Sequence, residues 1–150
     1  MAHLKFYRGD KMYVVGYTTG VFDLFHVGHI AFLKQAKSRC NYLIVGVCSD
    51  ELAEYLKDKT PIFSEDERLE IISSIKFVDY SYIKRSTDKV EDWNRHHFNV
   101  VFHGKEAENR KHEIESREML IPLGVNFIYF DRDYRVSTTN YLSKIRNEGR

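Results

Sequence analysis

Cysteine is scarce in this 150-residue chain: Cys40 and Cys48 are the only two, too few to staple a disulfide framework. That points to a reducing, cytoplasmic setting, with Cys48 closing an apolar run as a small buried hydrophobe. Neither sign of charge dominates. Lysine and arginine number 23 against 22 aspartates and glutamates, a formal net charge of +1, so bulk electrostatic binding to nucleic acid is not expected. No apolar run approaches the length of a membrane span, and Met1 to Lys11 holds no apolar core of the signal-peptide kind. His96, His97, His103 and His112 do not stand at metal-ligand spacing with one another or with the cysteines. Repeats and low-complexity stretches are missing as well. What is there, 43% hydrophobic and 30% charged residues, suits one globular domain with a real core. We expect residues 1–11 to be a polar N-terminal extension and residues 12–150 a single domain.

The patterning alternates between strand and helix periods. Met12 to Gly16 reads as a strand and Ile30 to Ser38 as a helix. Tyr42 to Cys48, YLIVGVC, is continuous in apolar character, as a parallel strand buried on both faces should be. Ser49 caps a short helix over Asp50 to Leu56, and Lys57 to Pro61 breaks the pattern. Ser64 followed by Glu67 is a capping box, and Leu69, Ile72 and Ile75 then mark a core face. Val78 to Ile83 is a third strand, Glu91 to His97 a helix, and Asn99 to His103 a strand ended by Gly104. The charged stretch Glu106 to Leu120 predicts one helix with Ile114, Met119 and Leu120 inward and the rest solvated. Asn126 to Phe130 is the last strand, and Ser137 caps a closing helix over Thr138 to Arg146. This order predicts an α/β fold, a Rossmann-like open parallel sheet with helices on both faces. Ligands in such folds bind beyond the carboxyl ends of the strands.

Gly16 to His29, GYTTGVFDLFHVGH, is the densest signal. A strand feeds a turn containing Gly20, and His26-Val27-Gly28-His29 leads directly into a helix. The first amides of a helix lack internal partners and carry the positive end of its dipole, a ready anion site. Two imidazoles add donors there, and Gly28 lets a ligand approach the backbone. Lys57 and Lys59 place two cations beyond the second strand, on the face assigned to phosphate. Ser137 and Thr138 bring hydroxyl donors to another helix start after the last strand.

Phe22, Asp23, Leu24, His26, Gly28 and His29 resemble the Phe-Asp-Leu-x-His-x-Gly-His block of the HxGH nucleotidylyltransferases, and more closely of the cytidylyltransferases among them. Arg132, Val136, Ser137, Thr138 and Thr139 are similar to that family's Arg-x-x-x-(Ile/Val)-Ser-Thr-Thr signature. In appearance the chain is closest to the glycerol-3-phosphate cytidylyltransferases. The resemblance implies catalytic roles for His26, His29 and Lys59, with the nucleotide held by Gly20, Val21, Phe22, Asp23, Gly28, Arg132, Ser137 and Thr138. It puts Lys57 on the acceptor's phosphate, and it implies magnesium with Asp23 beside it or on a bridging water. Ile75-Lys76-Phe77-Val78-Asp79 looks like the family's Arg-Tyr-Val-Asp, with lysine for arginine, which assigns Lys76 and Asp79 to the acceptor. His103-Gly104-Lys105-Glu106 departs from the family, whose glycine is followed by acidic residues.

The implied reaction takes CTP and a small phosphorylated alcohol, glycerol 3-phosphate first, to a CDP-alcohol and pyrophosphate, in a cytoplasmic homodimer. One rival is an adenylyltransferase on the same fold, acting on a sugar phosphate or another phosphomonoester. A rival of another class is a nucleotide-binding regulatory module without turnover.

Overall fold

A computed structural model describes residues 12–131 and 138–148. In chain order its elements are β1 (Tyr13–Gly20), α1 (Val27–Lys37), β2 (Cys40–Cys48), α2 (Asp50–Lys57), α3 (Glu65–Ser73), β3 (Tyr80–Lys84), α4 (Lys89–His96), β4 (Val100–Gly104), α5 (Lys111–Leu120), β5 (Asn126–Phe130) and α6 (Thr138–Glu148). The five strands form one sheet, ordered β3-β2-β1-β4-β5, and every neighbouring pair is parallel. The expected Rossmann-like α/β fold is what is observed. The order reverses between β1 and β4, and at such a switch point the crossovers diverge and leave a crevice.

Alternation along the strands splits the core in two. Leu43, Val45, Val47, Val100 and Phe102 point to one face and pack with Leu33 and Ala36 of α1 and Ile72 of α3. Tyr17, Ile44 and Val101 point to the other and pack with Leu120 of α5, with Val90 and Trp93 of α4 against them. The continuous apolar character of β2 follows from this, since both its faces are covered. Among the described residues no helix is long and apolar enough to cross a membrane.

Several element boundaries differ from the sequence reading. β1 runs on through Thr18 and Thr19, which stay in register with Val45 and Gly46 of β2. α1 starts at Val27 rather than Ile30, because His26 caps it. β3 starts at Tyr80 rather than Val78, and α4 at Lys89 rather than Glu91, where Asp88 Oδ1 accepts from the amides of Val90 and Glu91. The predicted capping box at Ser64 and Glu67 is present. The long helix over Glu106 to Leu120 is not. A 3-10 turn at Lys105–Ala107 precedes a separate α5, whose inward face is Glu113, Ser116 and Leu120. Ile114 and Met119 lie outward instead. Glu113 instead points inward, where it forms a buried ion pair with Lys89 of α4.

The β1–β2–β4 centre is tightly packed around Gly16. A Cβ there would lie 2.6 Å from Phe102 Cε2 and 2.7 Å from Cys40 Sγ. Gly16→Ala is therefore expected to destabilise the protein by about 1–3 kcal/mol, the usual cost of overpacking. Urea unfolding measures it, and an unchanged midpoint would contradict the packing described.

Candidate active site

At the carboxyl ends of the strands a cavity of about 950 Å³ opens over the switch point. One side of it is the β1–α1 junction, with Gly20, Val21, Phe22, His26, Gly28 and His29 in its lining. The two histidines form an unusual helix cap. His26 Nδ1 accepts from the Gly28 amide at 3.0 Å, and His29 Nδ1 accepts from the His26 amide at 3.1 Å. A ring nitrogen that accepts from an amide carries no proton, so in each neutral ring the proton sits on Nε2. The backbone thereby fixes both imidazoles as Nε2–H donors. The rings stack on one another with centroids 3.9 Å apart, and His29 also stacks on Phe25 at 5.2 Å.

The loop that presents them is strained. Phe22 and Leu24 adopt φ values of 55° and 49°, the left-handed region that side chains disfavour. Such geometry persists only where neighbours over-determine it, and here they do. Asp23 accepts from the amides of Ile62 and Phe63 at 2.8 and 2.9 Å, one on each carboxylate oxygen. Thr138 Oγ1, at the start of α6, donates to the Asp23 carbonyl at 2.9 Å.

Beneath this loop lies Arg68, which no sequence motif singles out. None of its side chain is exposed. Its Nη1 donates to the carbonyls of Val21 and Cys48 at 2.8 and 2.7 Å, its Nε to Phe63 at 3.0 Å, and its Nη2 to Asp50 Oδ1 at 2.7 Å. One guanidinium thus ties the ends of β1 and β2 to the start of α2 and to the segment before α3.

The other predicted residues divide by position. Lys57 lines the cavity at the end of α2, and Asp58 follows it with φ 53° as a left-handed cap. Lys59 is exposed and is not part of the lining. Lys76 and Asp79 precede β3 and so lie at the amino ends of the strands, away from the cavity. There Asp79 Oδ2 accepts from the Leu43 amide at 2.7 Å and from Lys37 Nζ, while Lys76 sits over the Phe77 ring. Arg132 and Ser137 lie outside the described residues.

The opposite wall carries groups that sequence reasoning assigned to a solvated surface or passed over. Lys84 pairs with Asp92, which also accepts from the Tyr17 hydroxyl at 2.7 Å. Burial and the adjoining Tyr82 and Asp92 raise the Tyr17 pKa well above its ordinary value. Lys89 pairs with Glu113 beside His103. Burial lowers the Lys89 pKa against the pull of Glu113, and burial with the Lys89, Arg110 and Lys84 cations holds His103 well below its usual range. No signal short of the α4–α5 contact distinguishes these residues from surface charges.

A family model described as Cytidylyltransferase-like matches residues 17–144 of the chain. The FAD synthase of Thermococcus onnurineus is 34% identical over 136 residues, which are 84% of this chain and 87% of that protein. The bifunctional protein HldE of Paramagnetospirillum magneticum is 47% identical over 73 residues, 48% of this chain but 14% of that longer protein. Among solved structures, the lipopolysaccharide core biosynthesis protein from Thermoplasma volcanium superposes with a TM-score of 0.71 at 28% identity, covering 81% of this chain and 98% of that one. These relatives support the broad family rather than glycerol-3-phosphate cytidylyltransferases specifically.

Arg68→Met removes every donor of the buried guanidinium and strands the Val21, Cys48 and Phe63 carbonyls. We expect it to cost about 3–5 kcal/mol of stability. Asp50→Ala should cost about 1 kcal/mol or less, since the Asp50 side chain is 41% exposed and shares its pairing with water. Chemical denaturation of both variants checks the contrast, and equal losses would show that the ion pair, not the carbonyl ties, matters.

Proposed function

The chain belongs to the cytidylyltransferase-like family, and we propose that it transfers the cytidylyl group of CTP to a small hydroxylated phosphomonoester, glycerol 3-phosphate first, with release of pyrophosphate. Nucleotidyl transfer as the reaction class is supported by the family match and by the FAD synthase and HldE relatives. What carries the reading is the pair of backbone-locked imidazoles at the start of α1, both donors and both in the wall of a cavity at the switch point. Such a pair suits phosphate oxygens on which charge builds.

The acceptor needs little activation. A phosphomonoester has a second pKa of about 6, so at pH 7 it is already largely the dianion. Its oxygen attacks the α-phosphorus, the bond to the β-phosphate's bridging oxygen breaks, and pyrophosphate leaves with that electron pair. The protein's task is to align two anions against their repulsion and to stabilise the leaving charge. His26 and His29 donate to the phosphate oxygens. In this reading Lys57, in the cavity wall, takes the acceptor's phosphate, while Lys59, Arg132, Ser137 and Thr138 hold the nucleotide. Lys76 and Asp79, at the opposite edge of the sheet, have no part in the cavity of their own chain.

The residues do not build a cage for magnesium. Both oxygens of Asp23 are engaged by backbone amides, and no cluster of three acidic, histidine or cysteine ligands occurs among the described residues. Magnesium is proposed to arrive on the nucleotide's own phosphates, the usual mode for this cation. A cytoplasmic homodimer remains part of the proposal, consistent with free, buried thiols at Cys40 and Cys48.

A second reading, adenylyl transfer to a sugar phosphate or flavin phosphate, is favoured by the FAD synthase match across 84% of the chain. Pyrophosphate release decides between them, measured with CTP, ATP, GTP and UTP against glycerol 3-phosphate, phosphocholine, phosphoethanolamine, sugar 1-phosphates and flavin mononucleotide. We expect CTP with a polyol phosphate to be fastest. Preference for ATP throughout would move the protein to the adenylyl reading, and no release with any pair would sink both.

With the best pair, His26→Ala and His29→Ala should each lower kcat by roughly 10²–10³, the scale for losing one preorganised donor. Each also removes half of a helix cap, at about 1 kcal/mol of stability. Near-normal kcat in folded variants would overturn the phosphate assignment.

A further inference from the structure

The wall facing the imidazoles carries a polar cluster that nucleotidyl transfer, as described, does not use. Lys89 and Glu113 both line the cavity and form an ion pair with only 9% and 6% of their side chains exposed. His103, at the end of β4, completes the cluster. Its Nε2 lies 3.1 Å from Lys89 Nζ and 3.6 Å from Glu113 Oε2. An ammonium can only donate, so Nε2 accepts and the ring proton sits on Nδ1. From behind, the Tyr129 hydroxyl donates to Glu113 Oε1 at 3.0 Å and receives a bond from Arg117 Nη1 at 2.8 Å. Glu113 is therefore clamped from two sides, with its charge cancelled by Lys89.

The cluster therefore holds a donor, His103 Nδ1–H, and an acceptor, the Glu113 carboxylate, whose charge Lys89 balances. A buried ion pair contributes little to stability after desolvation, and this one lines the cavity. The arrangement complements a hydroxyl group, which donates and accepts at once. It offers a quaternary ammonium neither an uncancelled charge nor a use for its missing hydrogens.

We propose that Glu113 and His103, held by Lys89, form a subsite for the hydroxyl groups of a polyol or sugar. The proposal rests on the nucleotidyl-transfer reading. Two sources carry this chemistry, a polyhydroxylated acceptor phosphate and the ribose of the nucleotide. Glu113 and His103 touch the hydroxyls, and Lys89 is a positioning residue.

The test uses pyrophosphate-release kinetics with each substrate varied separately, on wild type, Glu113→Gln and His103→Phe. Wild type should prefer the best polyol acceptor over its deoxy analogue (glycerol 3-phosphate over propyl phosphate), or the ribonucleotide over the 2′-deoxyribonucleotide. In the variants that preference should vanish, with KM for the one substrate raised about 10–100-fold and kcat changed far less. Loss of the first preference assigns the subsite to the acceptor, and loss of the second to the ribose. Folded variants that keep both preferences would overturn the proposal. Should Glu113→Gln fail to fold, the double variant Lys89→Met with Glu113→Met, which strands no buried charge, takes its place with the same expected outcome. Should wild type release no pyrophosphate with any pair, nucleotidyl transfer fails separately. Calorimetric titration with glycerol 3-phosphate and with CTP then tests the subsite alone, and equal affinities in wild type and double variant would overturn it.

Discussion

Arg68 places a guanidinium with no exposed surface where four stretches of chain meet, and the site's geometry hangs on its donors. Strand ends in a parallel sheet leave carbonyls without ladder partners, and burying them unpaired would cost about 1–3 kcal/mol each. Arg68 satisfies those of Val21 and Cys48 with one nitrogen. The planar fork suits this task as a lysine's single charged point could not. Its partner Asp50 is half in water, so the guanidinium's charge is balanced without burying a second ion. The loops of the first two strands are thereby fixed relative to each other, and the cavity lies above them.

The imidazole cap extends the same economy to the chemistry. Most helix starts are capped by serine, threonine, asparagine or aspartate, and α2, α3 and α4 follow that habit with Ser49, Ser64 and Asp88. In α1 the caps are His26 and His29, so the bonds that finish the helix also choose the tautomers. Left-handed backbone at Phe22 and Leu24 costs on the order of 1–3 kcal/mol each. Asp23 and Thr138 hold that loop from both sides. The Asp23 carboxylate is thus tied to the backbone of Ile62 and Phe63, in a position where the motif reading expects a metal neighbour.

Across the cavity, helices α4 and α5 bury Lys84 with Asp92 and Lys89 with Glu113. Each breaks the rule that charged positions on a helix face water, and each is satisfied by further hydroxyl or imidazole contacts. Rigid polar networks of this kind give the wall definite hydrogen-bonding character rather than extra stability.

The order of strands and helices was legible from hydrophobic period alone, because a two-face-buried β2 must be continuously apolar and Ser64 with Glu67 can only begin a helix. His26, Gly28 and His29 were legible as a group because they stand within a few residues of one strand-to-helix turn, where sequence distance and spatial distance coincide. Arg68, Lys89, His103 and Glu113 were not, since most of their partners lie 14 to 47 residues away and the same letters on a surface read identically. The same limit put Ile114 inward and Glu113 outward, and it grouped Lys76 and Asp79 by motif with residues that line a cavity at the other end of the strands. Local pattern determined the elements and the strand-to-helix turn with its two histidines. Only the packing of α4 on α5, and of four loops on one guanidinium, decided which charges are buried and what they face, because burial depends on long-range contacts that no local period encodes.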